Sequence, residues 1–457
     1  MRISTANIIR GIRSSARPLE GAHDGHAAPA YDPLIDAIGD RRFALIGEAS
    51  HGTHEFYATR AAITRRLIAE RGFNAVVVEA DWPDAYRVNR YVRGFNDDSS
   101  ADGALSGFRR FPQWMWRNTV VEEFVDWLRA YNAAASAPRA QVGLYGMDLY
   151  SLRASIAAVL RYLDNVDHAA ATRARYRYSC FEDFGEDPQA YGYAARFDLE
   201  RSCEEAVVQQ LVELQRRSAE YARRDGRAAE DEYFHAEQNA RLVKNAEQYY
   251  RSMFQGRVSS WNLRDTHMVQ TIGELVRFLD RMNGAPTKLV IWAHNSHLGD
   301  ASATEVGQAG ELNVGQLMRE TYGQEQTFLT GFTTHDGTVT AATDWDGPAE
   351  TKTVRPSLDG SYEQLFHETQ LPRFLLILSG GGADRSMIEP LRASRLERAI
   401  GVIYRPQTER VSHYFHAILP EQFDAIIHLD RTRAITPLEA VATVVDRELE
   451  ETYPTGV

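Results

Sequence analysis

Residues 41–79 hold a strand, a polar turn, a helix and a second strand, and a glutamate closes each strand. Arg41-Arg42-Phe43-Ala44-Leu45-Ile46-Gly47 reads as a buried strand that stops at Glu48-Ala49-Ser50-His51-Gly52-Thr53-His54-Glu55. A helical stretch follows to Glu70-Arg71-Gly72, and Phe73-Asn74-Ala75-Val76-Val77-Val78 then runs into Glu79. Parallel strands joined through a helix take a right-handed crossover, and neighbouring strands lie about 5 Å apart. Glu48 and Glu79 are therefore expected side by side at the carboxyl edge of one sheet. Open α/β sheets hold their ligands at that edge, and His51 and His54 hang from the same turn.

The same pattern continues along the chain. Val142-Gly143-Leu144-Tyr145-Gly146-Met147-Asp148 is a third strand ending in a carboxylate, and Lys288-Leu289-Val290-Ile291-Trp292-Ala293 is a fourth, ending at His294-Asn295-Ser296-His297. Further strands are expected at 327–333, 373–378, 401–405 and 425–429. Trp114–Tyr131 reads as a helix with Trp116, Val120, Val121, Phe124 and Leu128 on one stripe. Residues 150 to about 283 carry almost no strand signal, and 204–253 shows apolar residues at helical spacing with a break near Asp225-Gly226. The expected fold is α/β, a mostly parallel central sheet flanked by helices, with a helical insertion and a small additional α/β subdomain. Its divisions are an irregular segment over 1–30, core over 31–150, the insertion over 151–283, core over 284–335, the subdomain over 336–370, and core over 371–457.

Composition removes several classes of function. A net charge of −12 argues against a nucleic-acid surface, which needs a basic face. Lys244, Lys288 and Lys352 are the only lysines, and the arginines are scattered. Cys180 and Cys203 are the only cysteines and do not form Cys-x-x-Cys, so neither a disulfide framework nor a thiolate metal site is implied. No apolar run approaches the roughly 20 residues of a membrane span, and the first twenty residues lack the apolar core of a signal peptide. The expected location is the cytoplasm, with no membrane or nucleic-acid partner. Oligomeric state leaves no trace.

Glu48, Glu79, Asp148 and His294 each end a different expected strand, with His51 and His297 one step further on. One such residue alone is an ordinary charge at a loop. Several on one sheet edge make a site, and a carboxylate beside an imidazole is what a general base near neutral pH requires. Arg60, in the helix after the turn, can point back at Glu48 or Glu79, or be a solvated arginine. In Trp261-Asn262-Leu263-Arg264-Asp265-Thr266-His267-Met268, Asp265 can cap the helix that follows while Arg264 points into a pocket. Ser412-His413-Tyr414-Phe415 reads as loop packing. His54 opens a helix or packs behind the site, and Phe108, Phe111, Trp114 and Trp116 either line an apolar cleft or fill the core.

Missing residues narrow the chemistry. Gly-x-Ser-x-Gly occurs nowhere, neither cysteine sits in a nucleophile elbow, and Gly380-Gly381-Gly382 matches only half of a dinucleotide fingerprint. His51-x-x-His54-Glu55 departs from His-Glu-x-x-His, yet two histidines and a carboxylate from separate strands can bind a divalent ion. Three readings stay open: a metal-free catalytic site built on His51, a metal-dependent one using His51, His294 and the two glutamates, and a cleft that binds without catalysis.

The sequence resembles the erythromycin esterase family, also labelled succinoglycan-biosynthesis-related, over roughly residues 30–440. The matching pieces are Gly47–Phe56, Glu79-Ala80-Asp81-Trp82, Asn262-Leu263-Arg264-Asp265-x-x-Met268, Trp292-Ala293-His294-Asn295-x-His297 and Ser412-His413-Tyr414 followed by Phe423-Asp424-Ala425. The resemblance implies hydrolysis of a carboxylic ester or macrolactone by a water that His51 activates, with Glu48 and Glu79 in support and Arg60 and His294 in the same cleft. His54, His297, Arg264, Trp114 and Trp116 are the expected substrate contacts. The resemblance implies a small-molecule ester or lactone as partner, no cofactor unless the metal-dependent hydrolase holds, a link to antibiotic response where macrolides are the substrate, and, for the non-catalytic alternative, a relation to polysaccharide biosynthesis. It puts macrolide-contacting loops near residues 95–115 and 175–200.

Overall fold

A computed structural model describes residues 4–19, 28–135, 141–184, 188–197, 202–221, 227–253, 256–381 and 383–439. Its centre is an eight-stranded sheet of β1 (Arg17–Pro18), β2 (Phe43–Ile46), β3 (Ala75–Asp81), β4 (Gly143–Asp148), β5 (Leu289–Trp292), β6 (Thr327–Thr333), β9 (Arg373–Ile377) and β12 (Ala425–Leu429). Strands β7 (Asp336–Ala341), β8 (Glu350–Val354) and β13 (Arg431–Thr432) form a three-stranded sheet, and β10 (Arg395–Arg398) pairs with β11 (Tyr414–Ala417).

The order across the main sheet is β1-β9-β12-β6-β2-β5-β3-β4. All pairs from β12 to β4 are parallel, while β9 runs antiparallel to β12 and β1. Strands β2 and β3 are not neighbours: β5 lies between them, pairing Phe43 with Leu289 on one side and Ala75 with Leu289 on the other. Glu48 and Glu79 are thus separated by the end of β5, which corrects the side-by-side expectation and brings His294 into the gap. Both faces of these strands are buried, Phe43, Leu45, Ala75 and Val77 in one core cluster and Ala44, Ile46, Val76 and Val78 in the other. That is why they read as continuous apolar runs with no alternation.

Between β4 and β5 the described residues form helices and no strand, ending in the long helices Arg227–Ser252 and Arg257–Asn283. The break expected at Asp225-Gly226 lies outside the described residues, as does Gly382. Several expectations need correction. The segment 1–30 is not irregular throughout: Thr5–Ser15 is a helix whose Ile8 and Ile12, one turn apart, are buried against the core, and β1 follows it. The cluster Trp261–Met268 lies inside the helix Arg257–Asn283 instead of ahead of it, so Asp265 caps nothing there. The helix after Trp114 starts only at Thr119, where the Asn118 side chain accepts the Val121 N–H at 2.9 Å. Residues 401–405 form no strand, and Tyr414 and Phe415 belong to β11 instead of a loop. Cys180 and Cys203 form a disulfide that ties two turns of the insertion. Their separation of 23 residues gives no local sequence signal. Among the described residues no helix is long and apolar enough to cross a membrane.

The smaller sheets are locked to the core through Arg398, which is 1% exposed. Its guanidinium donates to the carbonyls of His335 and Arg355 and to Tyr414 Oη, and pairs with Glu409 at 3.1 Å. Next to it, Glu397 is fully buried, with the Gln422 side chain beside its carboxyl. Burial and the neighbouring Glu363 carboxyl push its pKa far above the usual carboxylate range, with Gln422 opposing weakly. A carboxyl raised in the folded state costs stability as pH climbs above its free value. Glu397→Gln, neutral at every pH, is therefore expected to raise the melting temperature, with a larger gain at pH 8 than at pH 5. An equal gain, or a loss, at both pH values would show that Glu397 is not held neutral.

Candidate active site

The turn after β2 is fixed by its backbone. His51 N–H donates to the Ile400 carbonyl at 3.1 Å, and Ile400 N–H to the Ala49 carbonyl at 2.9 Å. Gly52 sits at φ 75°, and a Cβ there would lie 2.1 Å from the Thr340 carbonyl oxygen, so only glycine fits. Within this frame His51 Nδ1 meets Glu48 Oε1 at 2.9 Å. The other Glu48 oxygen faces the buried Arg60 at 3.4 Å, and that guanidinium is held between the rings of Tyr57 and Trp292 at 4.5 and 4.8 Å.

The end of β5 is stitched to both glutamates. Asn295 N–H donates to the Glu48 carbonyl at 2.8 Å, and His294 N–H donates to Glu79 Oε2 at 2.9 Å. The His294 ring then lies 4.8 Å from the His51 ring. Ser296 N–H points at His294 Nδ1 at 3.2 Å, which makes Nδ1 the acceptor and places the proton of the neutral ring on Nε2. That Nε2 is buried, and the Ala49 carbonyl lies beside the ring as a backbone partner. Burial, with His51 adding to it, drives the His294 pKa well below the ordinary histidine value.

A chain of alternating charge lies behind. Arg264 grips Asp148 with two donors, at 2.9 and 2.7 Å, and Glu79 Oε1 at 2.8 Å. His297 Nε2 reaches Glu79 Oε1 at 3.3 Å, and its Nδ1 meets Asp265 at 2.8 Å. Trp261 stacks flat on the His297 ring at 4.5 Å. Burial disfavours a charged His297, but Asp265 and Glu79 outweigh it and raise the pKa. Burial likewise opposes ionisation of Glu79, and His297 and Arg264 overcome it, holding the carboxyl far below its usual range. Asp81 differs: burial lifts its pKa, Arg110 opposes, and Asp148 adds to the rise. Asp265 also accepts Val314 N–H at 3.0 Å, at the start of the helix Val314–Tyr322.

His51, Glu79, His294, His297, Arg264 and Trp116 all line one cleft, with Asp148. Glu48 and Arg60 stand directly behind His51. Two expected substrate contacts are not in the cleft. Trp114 is 4% exposed and packs in the core beneath, edge-on to Phe111, and His54 begins the helix His54–Arg71 with its N–H on the Arg433 carbonyl. Phe108 and Phe111 do line the cleft, and so do Tyr150 and Trp345, which the sequence did not single out. His413 is elsewhere, 5.3 Å from the Tyr404 ring. Of the loops expected near 175–200, residues 185–187 and 198–200 lie outside the described residues. Among the described residues no group of three or more His, Cys, Asp or Glu side chains has the geometry to hold a metal ion. Arg264 takes the central place between the carboxylates.

A profile described as erythromycin esterase matches residues 68–432. The chain belongs to the erythromycin esterase family. It is 26% identical over 138 residues to erythromycin esterase type II of Escherichia coli, a match covering 30% of this chain and only 30% of that enzyme. It is 21% identical over 296 residues to the type I enzyme of Escherichia coli, covering 64% of this chain and 70% of the other. Among solved structures, an erythromycin esterase mutant in its open conformation superposes with a TM-score of 0.64 at 16% identity, covering 89% of this chain and 94% of that one. The sheet and its flanking helices are therefore the family's fold. Membership supports hydrolysis as the class of reaction.

At pH 6.5, where a free histidine is about half charged, histidine-resolved NMR should find His297 protonated and His294 neutral. The His297 interaction stabilises the fold below the free-histidine value and is lost as pH rises through its raised one. The Glu79 interaction stabilises above the free-carboxyl value and is lost only in strong acid. A protonated His294 at pH 6.5 would contradict this assignment.

Proposed function

We propose that the chain is a hydrolase that cleaves a carboxylic ester or lactone with a water deprotonated by His51. The supporting observation is the pairing of two imidazoles with opposite roles. His51 donates Nδ1–H to Glu48, so its Nε2 lone pair is left to take a proton from water. His294 carries its proton on Nε2, beside the Ala49 carbonyl, and can turn that hydrogen bond to the oxyanion that forms when the water attacks. Glu48 stabilises the His51 imidazolium, and Arg60 stands at 3.4 Å from its other oxygen. When the tetrahedral intermediate collapses, His51 returns its proton to the leaving alkoxide. No side-chain nucleophile is needed, which agrees with the absence of a serine elbow.

In this reading no metal is required, because the charge between Glu79 and Asp148 is supplied by Arg264. The walls Phe108, Phe111, Trp116 and Trp345 suit an apolar acyl or ring portion. Macrolide-type macrolactones are one such class, and the name of the Escherichia coli relatives makes them the first compounds to assay.

The test is turnover of simple esters, lactones and macrolides after extensive chelation. His51→Ala should lower kcat by roughly 10²–10⁴-fold, the usual worth of a general base, with an unchanged melting temperature. Glu48→Gln should lose activity as well. His294→Ala should cost on the order of 10²-fold in kcat, like the loss of one oxyanion donor, with KM little altered. Near-normal turnover by His51→Ala, or activity abolished by chelation and restored by a divalent ion, would overturn this reading.

A further inference from the structure

Helix Arg257–Asn283 presents Trp261, Arg264 and Asp265 on one face, at the i, i+3 and i+4 spacing of a single turn. Arg264 serves the carboxylates of β3 and β4, whereas Asp265 has no part in the hydrolytic scheme above. Asp265 is wholly buried. Its Oδ1 meets His297 Nδ1 at 2.8 Å, with Oδ2 at 3.0 Å, and the same Oδ1 accepts Val314 N–H at 3.0 Å. On the far side of the ring, His297 Nε2 reaches Glu79 Oε1 at 3.3 Å, and Glu79 Oε2 accepts the His294 N–H at 2.9 Å. We infer that Asp265 is a positioning residue for the cleft: through His297 it holds Glu79, and through Glu79 the backbone that presents His294. That this serves ester cleavage rests on the hydrolytic reading above; the linkage itself does not.

The charged groups facing the His297 ring are Asp265, Glu79 and Arg264. Burial opposes a charge on the imidazole, and so does Arg264, whose Nη1 stands 3.2 Å from His297 Nε2. Glu79 is a divided counter-charge, because Arg264 also holds its Oε1 at 2.8 Å. Trp261 covers a face of the ring and supplies no charge. Asp265 is the nearer carboxylate, and among the described residues its oxygens bond only His297 and Val314. A carboxylate is also more than the joining of two helices requires. An amide oxygen in the place of Oδ1 would accept both Nδ1–H and the Val314 N–H without any charge. What the carboxylate adds is a partner for a buried imidazolium, which is strongly disfavoured without one. With that partner, His297 carries a proton on Nε2 and gives it to Glu79. Without it, Nε2 turns into an acceptor for Arg264, and Glu79 Oε1 loses one of its two donors.

Asp265→Asn separates the charge from the joining, since it keeps both bonds. Histidine-resolved NMR of the full chain at pH 6.5 should show the imidazolium signal of His297 lost in this variant, and the His294 backbone amide, three links away, displaced. With an ester substrate, kcat should fall by roughly tenfold or more, with KM little altered. The deficit relative to the wild type should shrink from pH 7 to pH 5, as the ring regains its proton. Adding Asp265→Asn to His297→Gln should cost nothing further, because a residue that acts through another has no effect once that one is gone. A His297 ring unchanged in Asp265→Asn, or an unmoved His294 amide, would overturn the linkage. A neutral His297 in the wild type at pH 6.5 would overturn it with no variant at all. A deficit equal at pH 5 and pH 7, or one additive with His297→Gln, would make Asp265 a merely structural residue. A wild type that hydrolyses no ester would remove only the hydrolytic reading, and the two NMR signals would still decide the linkage.

Discussion

The site depends on one buried cation. Arg264 comes from the long helix of the insertion, and the carboxylates it joins, Asp148 and Glu79, come from the ends of β4 and β3. Removing one member of such a buried cluster leaves an uncompensated charge, at about 3–5 kcal/mol. The insertion is therefore not an appendage. Its cation lets two neighbouring strands end in ionised carboxylates at the floor of the cleft, and Glu79, once held, fixes the backbone of His294 through its second oxygen.

From that anchor the environment separates two histidines three residues apart. His297 sits between Glu79 and Asp265 and gains its charge from both. His294 has no carboxylate on its ring, is buried, and faces another imidazole, so it stays neutral. Titratable groups pushed apart by their surroundings are the usual sign of divided acid–base roles. Here the division places the ring with the raised pKa behind and the ring with the lowered one beside His51.

Much of this was legible because strand ends leave a local mark. Glu48, Glu79, Asp148 and His294 each follow an apolar run, and the run itself reports burial on both faces. Sheet order was not legible: nothing in residues 41–79 says that a strand 200 residues later will enter between β2 and β3. Asp265 was misread because an acidic residue before an apolar helical stretch looks like a cap, whereas its partners, His297 and Val314, are distant in sequence. The helix Thr5–Ser15 was missed because only two of its residues are buried, too few to stand out from a polar background. Trp345 was missed for a related reason. It lies in a connection outside any regular element, and only the tertiary fold brings it within 4.9 Å of Phe111.

The same contrast separates chemistry from selection. The groups proposed to act on a bond sit at the ends of parallel strands, where register fixes them to the sheet beside the ion cluster. The groups that would grip a substrate, Phe108, Phe111, Trp345 and the 401–402 segment, lie on connections that contribute nothing to the sheet. Connections change at less cost than strands do, so such a framework can exchange its substrates while Glu48, His51, Glu79, Arg264 and His294 keep their places. On this reading the walls of the cleft carry more information about the substrate than its floor does.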